Sequence, residues 1–175
     1  GCKIGFASFG NSPYAPSISD SIKITQTTSR LDSLCDIVVI AFSIDNSGLL
    51  LTHGTTNKQP YINAAERFAK MCINFGADIV YGDGASTPQG IELYNERLII
   101  YGLGNFFTPT IPKFGIENGC APVLSVTTYP DGTFCKANIH SFRQTTMQGL
   151  VADEEMNAIK IIKECTKAIN PEALF

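Results

Sequence analysis

The residues of this chain best suited to chemistry sit in two short glycine loops. The first is Gly82-Asp83-Gly84-Ala85-Ser86, and the second is Gly102-Leu103-Gly104-Asn105. Asp83 offers a carboxylate of the kind that ligates hard cations such as magnesium or calcium. The Asn105 amide has two readings: it reaches a site mouth and donates to an anionic ligand, or it bonds its own turn and holds the loop in shape. The chain has two histidines, His53 and His140, which caps any histidine-rich metal site. His53 falls in a long polar loop over 43–59, a length that is often functional in compact domains. His140 falls in a late strand and reads as structural. Six cysteines stand at 2, 35, 72, 120, 135 and 165 with no C-x-x-C spacing, against a zinc knuckle or a thioredoxin-type motif.

Each loop follows a strand-like run. Residues 78–81 are a short apolar run of buried-strand type that ends in the first loop. Residues 90–94 and 97–101 flank Asn95-Glu96 as a hairpin, and the second arm ends in the second loop. Loops beyond the carboxyl ends of strands are where open α/β sheets place their ligands, so these two loops are expected to frame a site if one exists. The alternative is two ordinary strand exits. Glu92, between apolar neighbours, is expected to pair with Arg97 across the hairpin.

The remaining elements carry these runs. Residues 3–9 read as a strand ending in the turn cluster Gly10-Asn11-Ser12-Pro13. A helix over 17–34, capped by Ser17 or Ser19, would present Ile18, Ile22, Leu31 and Leu34. Residues 36–42 (D-I-V-V-I-A-F) form the clearest buried strand, suited to a parallel sheet covered on both faces. A helix over 61–75 has its stripe at Ile62, Ala65, Phe68, Ala69, Cys72 and Ile73, with Gly76 as terminator. After an irregular stretch at 108–119, antiparallel arms at 122–129 and 133–142 flank Pro130-Asp131-Gly132. A last helix begins near Asp153 with acidic residues first and Lys160, Lys163 and Lys167 later, and Met156, Ile159, Ile162 and Ile169 supply its stripe. The order predicts an α/β fold with one mixed sheet flanked by helices.

At 175 residues this is most simply one domain, 1–175, and 44% hydrophobic content gives it a core. With 17% charged residues and a net charge of -3, and without a basic stripe, nucleic acid is not an expected partner. No apolar run reaches membrane-spanning length. Cys72 and Cys165 fall on apolar helix faces and read as buried thiols. Cys120 and Cys135 flank a hairpin and could pair in an oxidising compartment.

Taken together, these segments resemble the capsule-synthesis proteins of the CapA or poly-γ-glutamate type, which have a calcineurin-like metallophosphatase fold. Cys35-Asp36-Ile37-Val38-Val39-Ile40-Ala41-Phe42 resembles the strand that the family follows with a histidine-glycine loop. Arg67-Phe68-Ala69-Lys70 followed by Gly76-Ala77-Asp78-Ile79-Val80 resembles its R-F-A and G-A-D-I-V segments. Gly90-Ile91-Glu92-Leu93-Tyr94 with Tyr101-Gly102-Leu103-Gly104-Asn105-Phe106 resembles its hairpin signature. The resemblance implies half of a four-layer α-β-β-α fold and an extracytoplasmic or cell-envelope location. The cysteines, which show no clear pairing, leave a cytoplasmic location open.

Two departures concern the metal ligands. Where the family has F-H-G-G-x-E-G, this chain reads Phe42-Ser43-Ile44-Asp45-Asn46-Ser47-Gly48, with Ser43 at the histidine position. Where the family has G-H-G-P-H, Asp83 and Ser86 replace both histidines, while Gly82 and Gly84 remain. A two-metal phosphatase site needs several imidazoles and carboxylates, and hydroxyls are weak substitutes. The resemblance also places this chain in the second half of the family domain. The first half would bring an early aspartate, a second acidic motif and an asparagine-histidine pair. A chain without it is expected to expose an apolar edge or face unless a protein partner covers it.

Three functions follow. The first is a catalytically degenerate relative that binds or scaffolds in cell-surface polymer synthesis. It has no catalytic residue and no cofactor, its ligand is an anionic polymer or small molecule, and its pocket is drawn from Asp45, His53, Gly82, Gly84, Gly104 and Asn105. The second is a metal-dependent hydrolase using Mn, Fe, Zn or Mg, with ligands from a missing amino-terminal half and Asp83, Asp45 or His53 standing in for imidazoles. The third is an α/β domain without chemistry.

Overall fold

The computed structural model describes residues 1–10, 12–43, 60–107, 115, 119–145 and 149–173. Its first layer alternates strand and helix. Strand β1 (Ile4–Gly10), helix α1 (Ser21–Asp32), strand β2 (Ile37–Ser43), helix α2 (Pro60–Asn74) and strand β3 (Ile79–Asp83) follow one another. The hairpin β4 (Ile91–Tyr94) and β5 (Arg97–Ile100) then completes a five-stranded sheet in the order β1-β2-β3-β5-β4. Strands β1, β2, β3 and β5 are parallel, and β4 runs antiparallel at the edge.

The strand residues alternate between the two faces. One face sends Phe9, Val38, Ile40, Phe42, Val80 and Ile99 into the main core. There they meet α2, whose Ala65, Phe68, Ala69, Cys72 and Ile73 form the buried stripe expected from the sequence. Phe68 lies edge-on to Phe9 at 5.3 Å and to Phe42 at 5.4 Å, an arrangement aromatic rings prefer over a stacked sandwich. Helices α1 and α2 touch each other and cover this face together.

Helix α1 differs from the sequence expectation. Its cap is Asp20, whose Oδ1 accepts from Lys23 N at 2.9 Å. The Ser17 hydroxyl instead accepts from Ser19 N at 3.1 Å, closing the turn before the helix. The later start puts Ile24 and Thr28 inside, while Ile22 and Leu34 are exposed.

The single mixed sheet expected from the sequence is divided in two. Strands β6 (Cys120–Thr128), β7 (Phe134–Thr145) and β8 (Gly149–Ala152) form a separate antiparallel sheet in that order. Alternation in a strand specifies which residues are buried but not which neighbour it pairs with. Once β4 occupies the edge beside β5, the later strands pair among themselves. Helix α3 (Asn157–Ile169) packs on β4 of the first sheet and on β6 and β7 of the second. It starts later than the sequence suggests. The Asp153 carboxylate accepts from Asn157 N at 2.6 Å and from the Ser141 hydroxyl at 3.0 Å, so it caps the helix and ties it to β7. Met156 stays outside the stripe and is exposed.

Candidate functional site

Strands β2 and β3 end side by side. Ser43 and Asp83 are direct register partners, and Gly10 at the end of β1 is the register partner of Ser43. Both side-chain positions are exposed at the carboxyl end of the parallel strands, on the face away from α1 and α2. Asp83 Oδ1 accepts from Gly84 N at 2.7 Å, which aims the carboxylate back over its own loop. The glycine before it is sterically required: a Cβ on Gly82 would collide with the Tyr101 carbonyl and lie 2.6 Å from the Phe42 ring. The strand can pass between β2 and the chain leaving β5 only without a side chain there.

The two glycine loops lie against each other. Asn105 N donates to Ser86 O at 3.4 Å, and Gln89 N donates to Gly102 O at 2.9 Å. Pro88 and Leu103 form an isolated bridge between them. Gln89 is buried, and its Nε2 donates to the Thr87 carbonyl and hydroxyl, both at 3.1 Å. Ser43, Gly82, Asp83 and Gly84 thus fall at one end of the sheet, and Ser86, Gly104 and Asn105 in the paired loops that follow. Asp45 and His53 lie outside the described residues. The side chains of Ser43, Asp83 and Ser86, where the resemblance implies histidines, are one carboxylate and two hydroxyls, a donor set that does not fit a two-metal cage. Among the described residues, no three His, Cys, Asp or Glu side chains gather where they could hold a metal ion.

Below this end the same face is apolar and partly uncovered. Phe6 and Ile4 are 58% and 66% exposed, and the Phe6 ring lies 6.3 Å from that of Tyr81. Val39 and Ile79 between them are half-buried, whereas Leu98 and Ile100 further along the face are buried.

Two sequence expectations are corrected. Glu92 does not pair with Arg97. Its Oε1 takes the Lys70 ammonium at 3.0 Å and its Oε2 accepts from the Tyr101 hydroxyl at 2.6 Å. Lys70 also holds Glu66 at 2.7 Å and lies over the Tyr94 ring. Burial works to lower the Lys70 pKa, but the hydrogen bonds and charges of Glu66 and Glu92 outweigh it and hold the ammonium above its ordinary value. Arg97 instead donates from Nε to Asp78 Oδ1 at 2.9 Å. Glu92 opposes Ile99 and Arg97 opposes Tyr94, so the two share a face only as diagonal neighbours; Glu92 turns to Lys70 and to its other diagonal neighbour, Tyr101, while Arg97 turns across to Asp78 beside β3. Cys120 and Cys135 do not pair. Cys120 opposes Arg143, while Cys135 follows Phe134, the partner of Thr128, so about 25 Å of ladder separates them. A disulfide needs Cα atoms within about 7 Å. No disulfide joins any of the six cysteines. His140 sits on the exposed face of β7 with Nε2 3.2 Å from the Ser125 hydroxyl.

The Lys70–Glu66–Glu92–Tyr101 network was missed as a unit. The i, i+4 spacing of Glu66 and Lys70 was visible on the helix, but nothing local signals that Glu92 and Tyr101 come beneath it.

A parallel α/β layer with small-residue loops at its carboxyl ends, and an antiparallel layer beside it, defines the class as a mixed α/β domain with its candidate site at strand exits. Residues 13–110, more than half of the chain, match the family model described as bacterial capsule synthesis protein PGA_cap, and the chain belongs to that family. No curated protein matches it. Among the described residues, no helix is long and apolar enough to cross a membrane.

Proposed function

We propose that this capsule-synthesis protein acts at the cell envelope as a binding or scaffolding module for a polymer of the poly-γ-glutamate type, and not as a metal-dependent hydrolase. The observation that carries this reading is the pairing of Ser43 with Asp83 at the ends of β2 and β3. Where the family pattern has imidazoles, these positions present a hydroxyl and a carboxylate. Such groups bind a polyamide well: the hydroxyl donates to ligand carboxylates and Asp83 accepts from ligand amide N–H groups. They do not fix two cations around an attacking water. The face of exposed Ile4 and Phe6 and half-buried Tyr81 supports a protein partner beside the site, because parallel strands are ordinarily covered on both faces.

The test combines metal analysis with binding. Purified protein is expected to carry no stoichiometric manganese, iron, zinc or magnesium and to show no phosphodiesterase turnover. Titration with poly-γ-glutamate is expected to give saturable heat that weakens in Asp83→Ala and Ser43→Ala. Stoichiometric metal with turnover that Asp83→Ala abolishes would overturn the proposal in favour of the hydrolase. Absence of polymer binding at matched ionic strength would overturn the binding role.

A further inference from the structure

The strongest juxtaposition outside the candidate site lies at the opposite, amino-terminal end of the first sheet. Asp78 is 7% exposed and is touched by three separate parts of the chain. Its Oδ2 accepts from Val38 N at 2.8 Å, which joins it to β2. Its Oδ1 accepts from Arg97 Nε at 2.9 Å, which joins it to β5. The third part is Gly132, in the turn between β6 and β7, which approaches so closely that a Cβ there would run into the Asp78 carboxyl. Arg97 reaches the same turn from its other end, with Nη2 donating to Asp131 O at 2.8 Å. Beside it, Phe134 N donates to Glu96 O at 2.8 Å.

We propose that Asp78 and Arg97 form a latch: they hold the tip of the β6–β7 hairpin on the first sheet, and its release lets the tip lift while both sheets stay folded. Three features carry this. The turn is self-sufficient, because Tyr129 N donates to Thr133 O at 2.8 Å and the Asp131 carboxylate accepts from Thr133 N at 3.0 Å. It therefore keeps its shape when undocked. Among the described residues, the docking contacts at the tip run to Arg97, to Asp78 and to the neighbouring Glu96 carbonyl. The second layer is held independently at its other end, where Ile91 N donates to the Thr166 hydroxyl of α3 at 2.9 Å and Cys165 packs on the Pro88 carbonyl. The hairpin is thus held at one end by the Arg97 contacts and at the other through α3, which packs on β6 and β7, so the Arg97 end can open alone. Lifting it would uncover the inner side of β6 and β7, where Leu124, Val126, Ala137 and Ile139 are only half-buried.

Hydrogen exchange read residue by residue tests this. In Arg97→Met, the Phe134 amide is expected to exchange at least about tenfold faster, since a hydrogen-bond system with a charged donor is lost. Amides of β1 to β3, and of Ser125 and Asn138 in mid-ladder, are expected to keep their rates. Gly132→Ala should reproduce the effect. Gly149→Ala should not affect Phe134: it places the same left-handed strain in the same sheet (φ +69° against +81°) but has open space around it. In the wild type under low urea, Phe134 should open by a urea-insensitive route while Val80 follows global unfolding. An unchanged Phe134 rate in both variants, acceleration spread equally over β1 to β3, or a wild-type Phe134 amide that opens only with Val80 would each overturn the latch.

Discussion

The Tyr101 hydroxyl donates to Glu92 Oε2 over 2.6 Å while the Lys70 ammonium sits 3.0 Å from Oε1 of the same carboxylate. This places a charged acceptor at the interface between the first sheet and α2, with Tyr101 only 4% exposed. Burial, and then the hydrogen bond to Glu92, push the Tyr101 hydroxyl far above its ordinary value, so it stays a donor at any working pH.

Tyr101→Phe should cost about 1 kcal/mol of stability, and Glu92→Gln about 1–3 kcal/mol because it also strips Lys70 of a partner. Urea unfolding of both single variants and the double variant gives the coupling. A shared network predicts an interaction energy of about 0.5 kcal/mol or more. Strict additivity would mean that the two contacts act separately.

Phe68→Ala should destabilise the fold by about 3–5 kcal/mol, since the ring is buried between Phe9 and Phe42 and nothing nearby can fill its space. Calorimetry reads the loss directly. A cost under about 1 kcal/mol would contradict the packing described.

Alkaline pH should weaken the fold. Burial pushes the Cys72 thiol from 9.0 up to about 12, opposed only in part by the Thr28 hydroxyl. The unfolded chain gives up that proton first, so the contribution is complete below pH 9.0 and is lost as pH rises toward about 12. Tyr101 and Lys70, both raised, act in the same direction. Urea midpoints should therefore fall between pH 9 and 11, and less steeply in Cys72→Ala. At pH 8 a thiol reagent should modify exposed Cys2 and Cys135 rapidly, while Cys72, Cys120 and Cys165 wait for unfolding.

Phe6→Ser should leave stability within about 0.5 kcal/mol, because the ring is largely in water already. It should reduce the chain's adhesion to any protein that covers this face, measured by light scattering and by pull-down with purified capsule-synthesis components. A large stability loss would show instead that Phe6 belongs to the core.

Local pattern determined a good deal of this protein. The apolar run of β2, the 3.6-residue stripe of α2, the Asn95-Glu96 turn and the glycine loops are all set by neighbours in sequence, and the structure keeps each of them. The residues that end the strands at the candidate site, Ser43, Asp83 and Ser86, were likewise legible without coordinates. Tertiary structure decided what depends on partners distant in sequence. It chose Lys70 and Tyr101 for Glu92, and Asp78 for Arg97, because α2 and β3, distant in sequence, bring charged partners to a hairpin face that Glu92 and Arg97 share only diagonally. It also divided the strands into two sheets, since alternation marks a strand's faces while its neighbour is fixed only when the whole chain packs.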